Sequence, residues 1–239
     1  VVCYGGPCTI ENITFRNGVG SNVFGLVRGG AIYAEFTQLT IRNCRFESNR
    51  VDMQEFDLGA IGGAICGFYS DLFIEDCEFE GNHSDELGGA VYSTTASMLE
   101  ITNCTFVDNR AEMYGGGIAT DAMSMLVADC MFNGNFAGGY GAGIYSLGSE
   151  EEPQGHASEV TNCIFRRNSA SWAGYGMGGG IAVQYFQTMD VSNSVFEDNY
   201  GYVAGAICGG GTEGGTVSLS TSAFCGNSLN DFWGDVNDI

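Results

Sequence analysis

The sequence predicts an all-β protein, folded as a single right-handed parallel β-helix with three short strands per coil and about seven to eight coils. Three observations predict it. One two-part motif recurs along the chain at intervals of 26 to 37 residues. The apolar residues within each copy alternate, as in half-buried strands. The composition holds 38 Gly but only 2 Pro and is 44% hydrophobic, which fits a turn-rich packed fold and excludes collagen and disordered linkers.

The motif is clearest at Gly88–Asn109, GGAVYSTTASMLEITNCTFVDN. Its first half is a run of small residues ending in an aliphatic; these ends are Ile32, Ile65, Val91, Ile118, Ile144, Ile181 and Ile207. Its second half is anchored on Phe15, Phe46, Phe79, Phe106, Phe132, Phe165, Phe196 and Phe224. An Asn follows three residues after seven of these, from Asn49 and Asn82 to Asn227; Gly18 takes the place in the first copy. Three residues before the Phe stands Asn or Asp in all but the last copy, and five before it an aliphatic. Each unit therefore carries a Gly-Gly-Ala-Ile piece, a Leu-x-Ile piece and a Cys-x-Phe piece.

A unit this small cannot bury its own apolar face, but stacked units can. Stacking at strand spacing gives a body about 35–40 Å long. Right-handedness follows from the chirality of parallel crossovers. Phe, Ile and Leu form inner ladders, and the corner Asn residues bond to backbone and tolerate unusual φ/ψ. The coils span about residues 9–227 of a single domain, 1–239, and residues 228–239 form a C-terminal cap or peel away.

The alternation of GGAI with FxxN resembles the repeats of chlamydial polymorphic outer membrane proteins. The resemblance covers roughly residues 9–227 and implies a β-helix displayed outside the cell, several of those relatives being adhesin-like. The membrane β-barrel of that family does not follow here, so the resemblance supports fold and exterior location rather than autotransport.

Net charge is −21, from 29 acidic and 8 basic residues. Such a surface repels nucleic acid and anionic membranes. No stretch approaches the roughly 20 apolar residues of a membrane helix. Ten cysteines without a zinc-type pair of CxxC motifs favour an oxidising compartment. Five of them, Cys44, Cys77, Cys104, Cys130 and Cys163, form an inward column continued by Ser194 and Ser222, and read as free buried thiols. Cys3 and Cys8 are close enough in sequence to bridge, and Cys208 and Cys225, in consecutive coils, suggest a C-terminal clamp.

Three sequons, at Asn12, Asn82 and Asn103, fall on ladder positions, where a structural role competes with a glycan; Asn82 is the most glycan-prone because a loop follows it. Insertions at Gly18–Arg28, Arg50–Ile61 and Ser169–Met177 leave one corner, and Leu147–Ala157 leaves another. Loops on a rigid scaffold often bind. The aromatics Phe56, Trp172 and Tyr175 are the binding candidates, unless they fold back over their own corner.

Catalytic signatures are missing. His83 and His156 read as unpartnered loop residues, and no carboxylate ladder repeats beside the Leu-x-Ile strand. No cofactor motif or metal-ligand set emerges. The expectation is a non-enzymatic extracellular or cell-surface protein, structural or adhesive. It would assemble end to end with itself into a fibre or form part of a longer surface protein, and bind surface proteins or glycans. The rival is a carbohydrate-active or carbohydrate-binding β-helix of the polysaccharide lyase or hydrolase kind, the enzyme to be recognised by three or more carboxylates with an Arg or Lys on one strand face.

Overall fold

The computed structural model describes residues 1–23, 25–53, 59–96, 98–148, 157–171, 175–185, 187–210, 215–228 and 230–238. Its strands stack in parallel as a solenoid, and each copy of the motif makes one coil. The Gly-Gly-Ala-Ile piece forms the first sheet, with strands such as Ile32–Glu35, Val91–Thr94 and Ile181–Gln184. The Leu-x-Ile piece forms the second, from Cys8–Glu11 to Thr216–Ser220. The Cys-x-Phe piece forms the third, eight strands from Thr14–Arg16 to Ala223–Cys225. A fourth sheet, beyond the three expected, consists of six two-residue strands, from Arg50–Val51 to Tyr200–Gly201. Six successive coils thus carry all four strands, with a partial coil at either end. The final strand, Phe232–Asp238, pairs with both Ile207–Gly209 and Thr216–Ser220 and so joins the first two sheets.

Register is set by like residues. Ile32, Ile65, Val91, Ile118, Ile144, Ile181 and Ile207 follow one another in the first sheet. In the third, Phe15 to Phe224 form a continuous stack, with centroids 4.7–5.1 Å apart and planes within 9° of parallel. The six inner rings of this stack are fully buried. A slip of one residue would turn every core side chain outward, so these ladders hold the coils in register.

The two Asn positions of the motif do different work. Those three before the Phe, such as Asn43, Asn103, Asn162 and Asn193, are exposed and take a positive φ near 50°. Those three after it, Asn49 to Asn199, are buried and chained together. Asn109 is typical. Its N–H and Nδ2 both donate to Asn135 Oδ1 at 3.0 Å, and Nδ2 donates also to the Phe79 carbonyl at 3.0 Å. Its Oδ1 accepts from the N–H and Nδ2 of Asn82 at 3.0 and 2.9 Å. Every corner N–H of this row is thereby satisfied away from water. Gly18 enters the row without a side chain, by donating its N–H to Asn49 Oδ1.

This ladder corrects the expectation for Asn82. Its side chain is fully buried, and its Nδ2 donates to the Phe46 carbonyl and to Asn109 Oδ1. It is the least accessible of the three sequon asparagines; Asn12 and Asn103 face solvent.

The glycine pair before each aliphatic has a steric cause. Gly88 sits at φ +64°, and a Cβ on Gly89 would lie 2.2 Å from the Gly116 carbonyl oxygen of the next coil. The backbones approach too closely there for any side chain.

The inward thiols are hydrogen-bonding members of the corner rather than filler. The Sγ atoms of Cys77, Cys104 and Cys130 each accept the N–H of the column cysteine in the coil before, as Cys104 N–H to Cys130 Sγ at 3.4 Å. Where the column changes to serine the bond persists, Cys163 N–H to Ser194 Oγ at 3.1 Å. Cys3 and Cys8 form a disulfide. Cys208 and Cys225 do not. Cys208 lies in the first sheet opposite Trp233, buried beside Met177; Cys225 is on the outer face of the third, opposite Glu197 and exposed. The two lie on different walls of the solenoid, which rules out the expected clamp.

Burial pushes the thiols of Cys66 and Cys208 up to about 12. The folded chain therefore keeps protons that the unfolded chain releases, so this stability is whole below about pH 9 and is lost as pH rises from there toward 12. Urea midpoints should fall between pH 8 and pH 11, and Cys66→Ala with Cys208→Ala should flatten that fall.

Candidate functional site

Where the first sheet turns into the second, four of the coils place a residue at an outward corner with φ near 50°: Phe36, Tyr69, Thr95 and Tyr185. Most described non-glycine residues at positive φ are Asn, Asp, Ser or Thr, which tolerate it. In two adjacent coils the residue is Phe36 or Tyr69, at φ 52° and 49°. The left-handed conformation costs a residue with a Cβ about 1–2 kcal/mol. The ring gains little burial in return: Phe36 is 51% exposed and Tyr69 49%.

The two rings stack with centroids 5.1 Å apart and planes 8° from parallel. Tyr4 meets Phe36 edge-on at 6.0 Å, and Phe68 supports Tyr69 edge-on at 4.6 Å. In the next coil the corner residue is the small Thr95, also exposed. Beside the rings runs a shallow groove lined by Gly6, Pro7, Thr37, Gln38, Asp71 and Thr95. Its walls are held by bonds between coils: Asp71 Oδ1 accepts Met98 N–H at 3.0 Å, and the Thr37 hydroxyl donates to the Gly6 carbonyl.

Gln38 also lines a second groove, on the outer face of the second sheet, with Thr40, Arg42, Phe73, Glu75, Glu100 and Thr102. The two grooves form one surface across the first four coils. Arg42 stands between Glu11 and Glu75, at 3.3 and 3.1 Å. Hydrogen bonds to Glu11 and then Glu75 raise its guanidinium above its ordinary value. Three carboxylates and an arginine therefore share one strand face, a cluster the sequence was expected to lack. Arg42, Glu11 and Glu75 are all 44–47% exposed, so their ion pairs are screened by water. The one guanidinium is already engaged by two carboxylates. The face is open to solvent and offers hydrogen bonds to a polar ligand.

Of the aromatics expected to bind, Phe56 and Trp172 lie outside the described residues. Tyr175 is 68% exposed, but it follows the strand Ser169–Ala170 on another corner, several coils from Tyr69. Tyr4, Phe36 and Tyr69 were not singled out by sequence reasoning. Their signal is weak but present: aromatic residues at a turn position where other copies carry Thr95, Ala122 or Gly148, and Tyr185 repeats it in a later coil.

The two insertions nearest the N-terminus pair with each other. Ser21–Val23 and Leu26–Arg28 form an antiparallel hairpin, and Gly59–Ile61 adds to it in parallel. His83, expected without a partner, has its Nε2 2.9 Å from Asp85 Oδ1. With Asp52 these two make the one group among the described residues whose donor types and spacing suit a metal ion.

A family model described as a right-handed β-helix region matches residues 1–151 and again 74–224. No curated protein and no solved structure matches the chain.

Proposed function

The chain belongs to the right-handed β-helix family, and from that premise we propose that it is a non-catalytic adhesive protein of the cell exterior that holds glycans on its aromatic corner. The observation that carries this reading is the exposed Phe36–Tyr69 pair. Both rings are kept at positive φ, where the fold alone would favour glycine or asparagine. Strain retained at an exposed aromatic step is typical of a binding surface. Aromatic rings beside amide, hydroxyl and carboxylate groups suit a polyhydroxylated chain. Gln38, Thr40, Asp71 and Glu100 supply those polar groups along the two grooves.

Two features support an exterior location. Cys3 and Cys8 are bridged, as expected in an oxidising compartment. The GGAI and FxxN alternation resembles that of the chlamydial polymorphic outer membrane proteins, which are surface passengers.

A glycan array tests the reading. The parent protein should bind a defined subset of glycans, and the variant carrying Phe36→Gly and Tyr69→Gly should lose that binding at least tenfold. Binding that survives both substitutions would refute the assignment. The second reading, a carbohydrate-active enzyme, rests on Arg42 with Glu11, Glu75 and Glu100. It predicts cleavage of a bound glycan that Glu75→Gln abolishes; adhesion predicts intact glycan after prolonged incubation.

A further inference from the structure

The fourth sheet carries an outward column in which a basic residue is followed two positions on by an acid. In register through three coils these pairs are Arg50 with Asp52, His83 with Asp85, and Arg110 with Glu112. In the two outer coils the base is arginine, a permanent cation. Arg50 Nε lies 2.7 Å from Asp52 Oδ2, and Arg110 Nε lies 2.6 Å from Glu112 Oε1. In the middle coil the base is an imidazole, which when neutral supplies a lone pair instead of a charge. His83 Nε2 lies 2.9 Å from Asp85 Oδ1 and 3.9 Å from Asp52 Oδ1.

We propose that Asp52, His83 and Asp85 form a binding site for a divalent cation of the zinc class. The ion would supply the positive charge that arginine supplies in the coils on either side. One nitrogen and two carboxylate oxygens lie within 4.8 Å of one another. Donors about 2.0–2.2 Å from a zinc ion stand about 3–3.5 Å apart. The observed separations of 2.9 and 3.9 Å bracket that range, so small side-chain rotations complete the set. Three protein ligands leave a position for water. Imidazole favours a transition cation over calcium or magnesium, which prefer all-oxygen sites.

The carboxylates are already oriented. Met53 N–H donates to Asp85 Oδ2 at 2.7 Å, leaving Oδ1 on the histidine side. Arg50 holds Asp52 through both of its oxygens. Outer partners of this kind fix ligand geometry. The three side chains are 26–30% exposed, so an ion can reach them from solvent.

Isothermal titration of the folded protein with zinc chloride tests the site, in a Cys225→Ser background and about 0.15 M salt. The substitution removes the exposed thiol, and the salt screens diffuse attraction to the acidic surface. One equivalent should bind. His83→Ala and Asp52→Asn should each weaken binding at least tenfold, and a tenfold excess of calcium should not compete. Circular dichroism confirms that each variant is folded, and Asp52→Asn serves alone if His83→Ala is not. Absence of saturable binding, binding within twofold of the parent in a folded variant, or displacement by calcium would overturn the proposal.

Discussion

Replacing Asn109 by alanine should cost roughly 3–5 kcal/mol of unfolding free energy, a large loss for one polar side chain. The substitution removes both bonds through Nδ2 and both accepted by Oδ1. It leaves the Phe79 carbonyl and the Asn82 N–H without these partners in a place water does not reach. Each such buried orphan costs about 1–3 kcal/mol. Asn109→Asp should be at least as damaging at neutral pH. It keeps an acceptor but sets oxygen against the Phe79 carbonyl and Asn135 Oδ1, with a charge in a buried row. Urea denaturation measures both, and a loss under about 1 kcal/mol would show that the ladder is ornamental.

Phe106→Ala should destabilise by about 3–5 kcal/mol through transfer and cavity terms together. Its ring stacks on Phe79 and Phe132, at 4.7 Å on either side, and is fully buried. Phe15 stacks on a neighbour on one face only, at the end of the row, and is half-buried. Phe15→Ala should therefore cost about 1–2 kcal/mol, in line with partial burial. Equal losses at the two positions would mean that the stack does not share its packing between coils.

Nearly all of this scaffold was legible in the sequence, for a physical reason. A solenoid repeats its local environment, so the demands on each position are written many times over. The Phe, Ile and Leu ladders could be read from spacing alone. What repetition could not separate was the two Asn rows. Asn103 and Asn109 look alike in sequence, yet one tolerates an exposed left-handed turn and the other fills a buried one. The difference decides that Asn82 is inaccessible despite its sequon. The short fourth sheet was hidden too, since two residues such as Arg110–Ala111 carry no periodicity.

The candidate site was far less legible. Attention to the insertions led to Tyr175, whereas the exposed aromatic pair lies at an ordinary corner of the repeat. Phe36 and Tyr69 matter because of φ and exposure, and neither can be read from a spacing. The Arg42 cluster joins residues 31 and 33 apart in sequence, and the metal-type group joins residues 31 apart, Asp52 with His83. Such groups appear only once the register of neighbouring coils is known.

The division of labour between repeat and corner is tested most directly by the urea unfolding midpoint of the Phe36→Gly and Tyr69→Gly double variant. Glycine removes left-handed strain worth about 1–2 kcal/mol at each site. It gives up exposed ring contacts worth about 0.5–1.5 kcal/mol and gains unfolded-state entropy of roughly 0.5–1 kcal/mol per site. These effects nearly offset, so stability should stay within about 1 kcal/mol of the parent. A loss of about 3 kcal/mol or more, matching Phe106→Ala, would make the corner part of the scaffold and contradict its assignment to binding.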